Sequence, residues 1–140
     1  MGRMVVTGID GNGRSCVVET RDLGAPGAEM GSVDVFSTSD VPPGPRPAGT
    51  ADLLPSDLIP GGTKWFVIQW PAGASFGMHH TDSIDYDVVM AGSIDLVLDD
   101  GPHRLEAGDV VVVPGVDHGW TAGPAGCTLS VCLLGTPPHA

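Results

Sequence analysis

Short β-branched runs, each closed off by glycine or proline, limit what this chain can fold into. Twenty-one glycines and thirteen prolines punctuate the 140 residues. No segment carries the helical apolar period of about 3.6 residues beyond two turns. A helix needs that period to bury one face, whereas short strands need only tight reversals between them. The pattern predicts an all-β sandwich or barrel.

MVVTG and SCVVET flank Gly11, Asn12 and Gly13, which supply positive φ at little steric cost and predict a hairpin. VDVFS at residues 33–37 reads as an edge strand. Residues 41–60 hold six prolines. Proline cannot donate to a ladder, so this stretch runs as a loop or strap that either covers a barrel mouth or reaches a neighbouring subunit. KWFVIQW, IDYDVVM, SIDLVLD, the VVVV run at 110–113 and CTLSVCLL then follow at steady intervals. Pro71-Ala72-Gly73, Ala91-Gly92, Asp99-Asp100-Gly101, Ala107-Gly108-Asp109 and Pro114-Gly115 read as the reversals between them. One domain is expected, with residues 1–62 as strands and strap packed on a barrel core at 63–136, and 137–140 as a tail.

With 41% hydrophobic and 16% charged residues, the chain has the makings of a packed core. Seventeen acidic against six basic residues give a net charge of -11. Such a field repels phosphate backbones and anionic lipid, so nucleic acid and membrane surfaces are excluded as partners. MGRMVVTGIDGNG lacks the apolar run and cleavage site of a signal peptide, and no stretch approaches the ~20 apolar residues of a membrane span. A cytoplasmic protein is expected. Cys16, Cys127 and Cys132 are odd in number and show no C-x-x-C spacing. They read as small hydrophobes rather than as disulfides or a thiolate zinc site.

The chemistry concentrates in residues 73–92, GASFGMHHTDSIDYDVVMAG, and residues 108–120, GDVVVVPGVDHGW. Gly73, His79, Thr81, Asp85 and Gly92 keep the intervals of the first motif of the cupin family; Gly108, Asp109, Gly115 and His118 follow its second. Over these segments the chain resembles a cupin. Its HHTDSIDYDVVMAG string is similar to a subgroup of small bacterial cupins with a His-x-Thr, then Asp-Tyr, variant of the first motif. That subgroup leads one to expect arginines at the position of His80 and near Pro114, and neither is present.

The resemblance implies a single cupin barrel of the jelly-roll type, antiparallel, with the N-terminal hairpin and Pro-rich strap packed on it. It implies one divalent metal, iron, zinc, manganese or nickel, held by His79, Asp85 and His118, with Thr81 standing where the family has a further histidine. Two imidazoles and a carboxylate on one face leave coordination positions open. The bland alternative for both histidines is a hydrogen-bonded wall residue, and for Asp85 a buried or outward carboxylate. A homodimer is implied as well.

Tyr86 and His80 are the expected proton-moving residues, although strand alternation sets His80 opposite His79 and Thr81. Trp65, Trp70, Met78, Thr81 and Trp120 are the expected substrate contacts, with core packing the alternative for the tryptophans. The function these features suggest is metal-assisted elimination, isomerisation or cyclisation of a partly hydrophobic biosynthetic intermediate. A non-haem iron dioxygenase and a metal-free binding or sensor cupin are the alternatives. Few basic residues and an aromatic wall favour a neutral or singly charged small molecule.

Overall fold

The computed structural model describes residues 2–139. Eight strands follow in chain order: β1 (Arg3–Ile9), β2 (Ser15–Asp22), β3 (Thr63–Trp70), β4 (Ser75–His79), β5 (Ser83–Leu98), β6 (Gly101–Glu106), β7 (Val110–Pro114) and β8 (His118–Gly135). No helix long and apolar enough to cross a membrane is present among the described residues.

β1 and β2 form the expected hairpin. Asp10 organises its turn, with Oδ1 accepting the backbone N–H groups of Asn12 and Arg14 at 2.8 and 3.1 Å. VDVFS forms no strand. Val35 packs instead on the outer cluster of Met4, Val6, Ile84 and Val112, and Phe36 stands edge-on to Tyr86 with ring centroids 6.2 Å apart. Hydrophobicity at 33–37 thus serves as a cover for the sheet rather than as another ladder.

The two runs IDYDVVM and SIDLVLD belong to one strand, β5. Ala91-Gly92 is a bend within it: the register with β8 shifts between Val89 and Ala91 and again between Gly92 and Ile94. At this corner Gly92 (φ 72°) meets Gly126 (φ 76°), and a Cβ on Gly92 would run into the Gly126 carbonyl. Only glycine permits that approach with positive φ.

The bend lets β5 and β8 serve two layers. One layer runs β2-β1-β7-β5-β8-β3. The other pairs β6 and β4 with the far halves of β5 and β8. The expected all-β fold of jelly-roll type thus takes the form of a β-sandwich, open rather than closed into a barrel, with a mixed sheet. β1 joins β7 in parallel, and among the described residues no ladder links β2 to β3. The long segment between those two strands, rich in proline, offers no ladder to close the gap.

Alternation sorts the faces. Val111 and Val113 point into the interlayer core with Val5, Val89, Leu96 and Leu129, while Val112 faces the outer cluster. Each fully buried Val or Leu contributes roughly 1.5–3 kcal/mol. The three cysteines are free, with Cys127 buried and the others half-buried.

Candidate functional site

Between the layers lies a cavity of about 260 Å³. Inward side chains of β3 and β8, among them Phe66, Ile68, Trp70, Leu129 and Val131, give it apolar walls, and strap residues 54–57 line it as well. Polar groups enter from β4, β5 and the start of β8.

β4 ends at His79 and β8 begins at His118, and the two are register partners. Their rings therefore lie side by side, 4.3 Å between centroids and tilted by 53°. The Nδ1–H of His79 donates to the Gly77 carbonyl at 2.9 Å, and that of His118 to the Val116 carbonyl at 2.8 Å. Donation through Nδ1 fixes the tautomer and frees each Nε2 lone pair. Phe76 and Trp120 stand edge-on to the two rings. Burial holds the His79 imidazole below its ordinary pKa. For His118 burial, helped by the neighbouring His79, lowers the pKa to about 4. Burial thus favours the neutral imidazole in both rings.

On the facing layer, Asp85 is buried and ends a chain of hydroxyls. Thr81 Oγ1 meets Ser83 Oγ at 2.7 Å, and Ser83 Oγ donates to Asp85 Oδ1 at 2.7 Å. Burial raises the Asp85 carboxyl to about 7, against the Ser83 and Thr81 hydroxyls that favour its anion. Two residues on, Asp87 points the same way and also lines the cavity. Among the described residues neither of its carboxyl oxygens has a hydrogen-bond partner. Burial, and then the charge of Asp85, push its pKa far up.

No family model matches the chain. Phomopsin biosynthesis cluster proteins D and C′ of Diaporthe leptostromiformis are each 46% identical to it over 67 residues, which is 47% of this chain and 35% of theirs. Oryzines biosynthesis cluster protein J of Aspergillus oryzae is 34% identical over 67 residues, 47% of this chain and 37% of its own length. The match thus spans little more than a third of these curated relatives. Among solved structures, the polyketide cyclase RemF of Streptomyces resistomycificus aligns with a TM-score of 0.47 at 24% identity, covering 51% of this chain and 53% of that one. The Cnp3 cupin domain of Schizosaccharomyces pombe aligns at 0.49 and 20% identity, covering 52% of each chain. A cupin-2 domain protein of Shewanella frigidimarina aligns at 0.45 and 22%, covering 50% of this chain and 68% of its own.

The chain is similar to cupins. Of the cupin-motif residues, His79 and His118 come together, while Asp85 stays apart from them. No three His, Cys, Asp or Glu side chains among the described residues gather so that they could hold a metal ion. The topology explains this. Asp85 pairs with Leu133 in one layer, whereas the histidine pair sits where β4 meets the other half of β8, and the Asp85 carboxyl is turned to Ser83. The residues present offer a divalent ion two imidazoles and not the facial triad.

Other expectations shift for reasons of alternation. Trp70, Thr81 and Trp120 line the cavity. Trp65 is 77% exposed on the outer face of β3 and donates Nε1–H to Ser130 Oγ at 2.7 Å, so it is no cavity contact. Met78 is exposed beside the inward His79. Tyr86 sits on the outer face of β5 against Phe36, where it lines a separate pocket with Val35 and Val112 and not the cavity between the layers.

His80 fastens the strap and does not line the cavity. Its N–H donates to the Asp52 carbonyl at 2.9 Å, its carbonyl accepts Leu54 N–H at 2.7 Å, and its Nδ1–H donates to the Ala51 carbonyl at 2.8 Å. Arg46 and Asp117 complete the fastening as a buried ion pair at 2.7 Å, and Asp117 Oδ2 accepts the N–H groups of Thr50 and Ala51. Even the tail joins, with His139 Nδ1–H donating to the Arg46 carbonyl at 3.0 Å.

Sequence reasoning passed over Asp87, Arg46 and Asp117. For Asp87 the signal was present, because alternation from Asp85 places it on the same face.

Proposed function

We propose that the chain is an enzyme of small-molecule biosynthesis that moves protons on a partly hydrophobic intermediate held between the layers, in an elimination, isomerisation or cyclisation. The observation that carries this is Asp85, a buried carboxyl whose pKa of about 7 suits it to give or take a proton at neutral pH. Its Ser83 and Thr81 hydroxyls form a hydrogen-bonded chain along which a proton can be passed. Neutral His79 and His118 supply the complementary function, each with an Nε2 lone pair able to accept a proton or a substrate hydroxyl. Apolar walls exclude water and strengthen these polar contacts. Relatives from biosynthesis clusters agree with such a role.

Deuterium wash-in tests the reading. The protein is incubated in D2O with a panel of enolisable carbonyl compounds, and exchange is followed by mass spectrometry. Exchange above that of heat-denatured protein, reduced about 100-fold or more in Asp85→Asn, is the expected result. Exchange no faster than the denatured control across the panel, or undiminished in the variant, defeats it.

The paired Nε2 atoms favour a second reading. Anchoring of Nδ1 to a carbonyl is how ligating imidazoles are commonly oriented, so a divalent ion would rest on His79 and His118, supplying Lewis-acid polarisation when bound. Near-stoichiometric metal in the purified protein, absent from both His79→Ala and His118→Ala, supports this; metal uptake that survives both substitutions refutes it.

A further inference from the structure

We infer that Asp87 is the base of a cation-binding subsite, and that the cavity takes a small organic cation, a protonated amine carried on an apolar or aromatic body. The inference rests on the reading of this cavity as the substrate site and names the class of molecule that fills it.

Asp87 is 1% exposed, lines the cavity and leaves both carboxyl oxygens without a hydrogen-bond partner among the described residues. Its register neighbours are Val111 of β7 and Val131 of β8, neither of which offers a donor. A carboxyl placed so is costly whether neutral or charged, since its lone pairs have lost water and gained nothing. Its environment becomes favourable once a donor arrives from outside, and a cationic donor gains most because an ion pair in a low-dielectric site is strong. Asp85 beside it adds a second negative potential when ionised.

Among the described residues no protein cation fills that role. Lys64 is the basic residue of the lining, and its Nζ lies over the Phe66 ring, 5.4 Å from the centroid, rather than on a carboxylate. The aromatic walls Phe66, Trp70 and Trp120 suit the apolar body of the ligand and present π faces to a cation. The net charge of -11 draws cations toward the protein as a whole.

Calorimetric titration of the intact chain at pH 7 with benzylamine and with benzyl alcohol, its neutral counterpart of similar shape, tests the subsite. Benzylamine is expected to bind about tenfold or more tightly than the alcohol, one decade being 1.4 kcal/mol. Asp87→Asn, which keeps the side-chain shape, is expected to erase that preference while leaving alcohol binding within about twofold. Asp87→Ser, checked for fold by circular dichroism, serves as a second variant. Equal affinities in the wild type, absence of benzylamine binding at millimolar concentration, or a preference that persists in the folded variants overturns the inference. These probes report binding alone, so a failed deuterium wash-in with an intact amine preference separates the two readings.

Discussion

His79 and His118 face each other as register partners across the β4–β8 ladder, each imidazole donating Nδ1–H to the carbonyl two residues before it. The same local device therefore sets both rings, and it leaves two Nε2 lone pairs on one wall of the cavity.

Nitrogen-15 NMR of the imidazoles checks this. Both residues should show the neutral Nδ1–H tautomer at pH 7, and His118 should remain neutral until the pH nears about 4. Because its folded pKa is depressed below the ordinary value of 6.5, the unfolded chain takes up that proton first, and stability falls as pH drops through this window. His118→Gln should remove that part of the acid sensitivity.

Asp85 has the opposite sign. Burial raises its carboxyl from the ordinary 3.8 to about 7 in the fold, so the folded protein holds the proton more tightly. Its contribution to stability is present below 3.8 and is lost as pH rises toward 7. Asp85→Asn carries no such loss. Thermal melts at pH 4 and pH 7 should show the variant gaining on the wild type as pH increases; a constant difference would mean that folding does not shift the Asp85 pKa.

The sequence made the strands and the histidine pair legible, for physical reasons that also explain what was missed. Glycine and proline mark where a ladder must stop, so β3 and β7 fall where their runs predict. A glycine also permits a bend, and Ala91-Gly92, read as a reversal, is a corner within one strand. The residue choice was identical; only the partner, Gly126, distinguishes them. His79 and His118 stood out by spacing, but whether Asp85 converges on them depends on the path of β8, which no local pattern encodes. Tyr86 and Trp65 carried attractive chemistry on the wrong faces. Arg46 and Asp117 are 71 residues apart, and nothing in a proline-rich strap announces a buried partner.

That ion pair governs the strap. Arg46 and Asp117 have side chains only 3% and 4% exposed. Burial alone would raise the Asp117 pKa, but the Ala51 and Thr50 N–H groups and the Arg46 guanidinium together hold it below the ordinary value. Arg46→Ala strands a buried carboxylate and should cost about 3–5 kcal/mol. Hydrogen exchange at the Thr50 and Ala51 amides should accelerate in the variant. Unchanged protection there would show that Asp117 holds the strap amides without Arg46.

The corner of the sandwich offers a test that separates backbone strain from crowding. Gly73 and Gly92 have nearly the same φ, 70° and 72°, so alanine at either position incurs a similar left-handed penalty of about 1–2 kcal/mol. At Gly73 an added Cβ meets nothing within 4 Å, whereas at Gly92 it would run into the Gly126 carbonyl and crowd Cys127. Backbone cannot step aside there without disturbing the β5–β8 ladder that joins the two layers. Denaturant unfolding should therefore place Gly73→Ala about 1–2 kcal/mol below wild type, and Gly92→Ala several kcal/mol below it. Equal losses would mean that β5 and β8 can separate at the corner, and that the interlayer cavity is held open by its other walls.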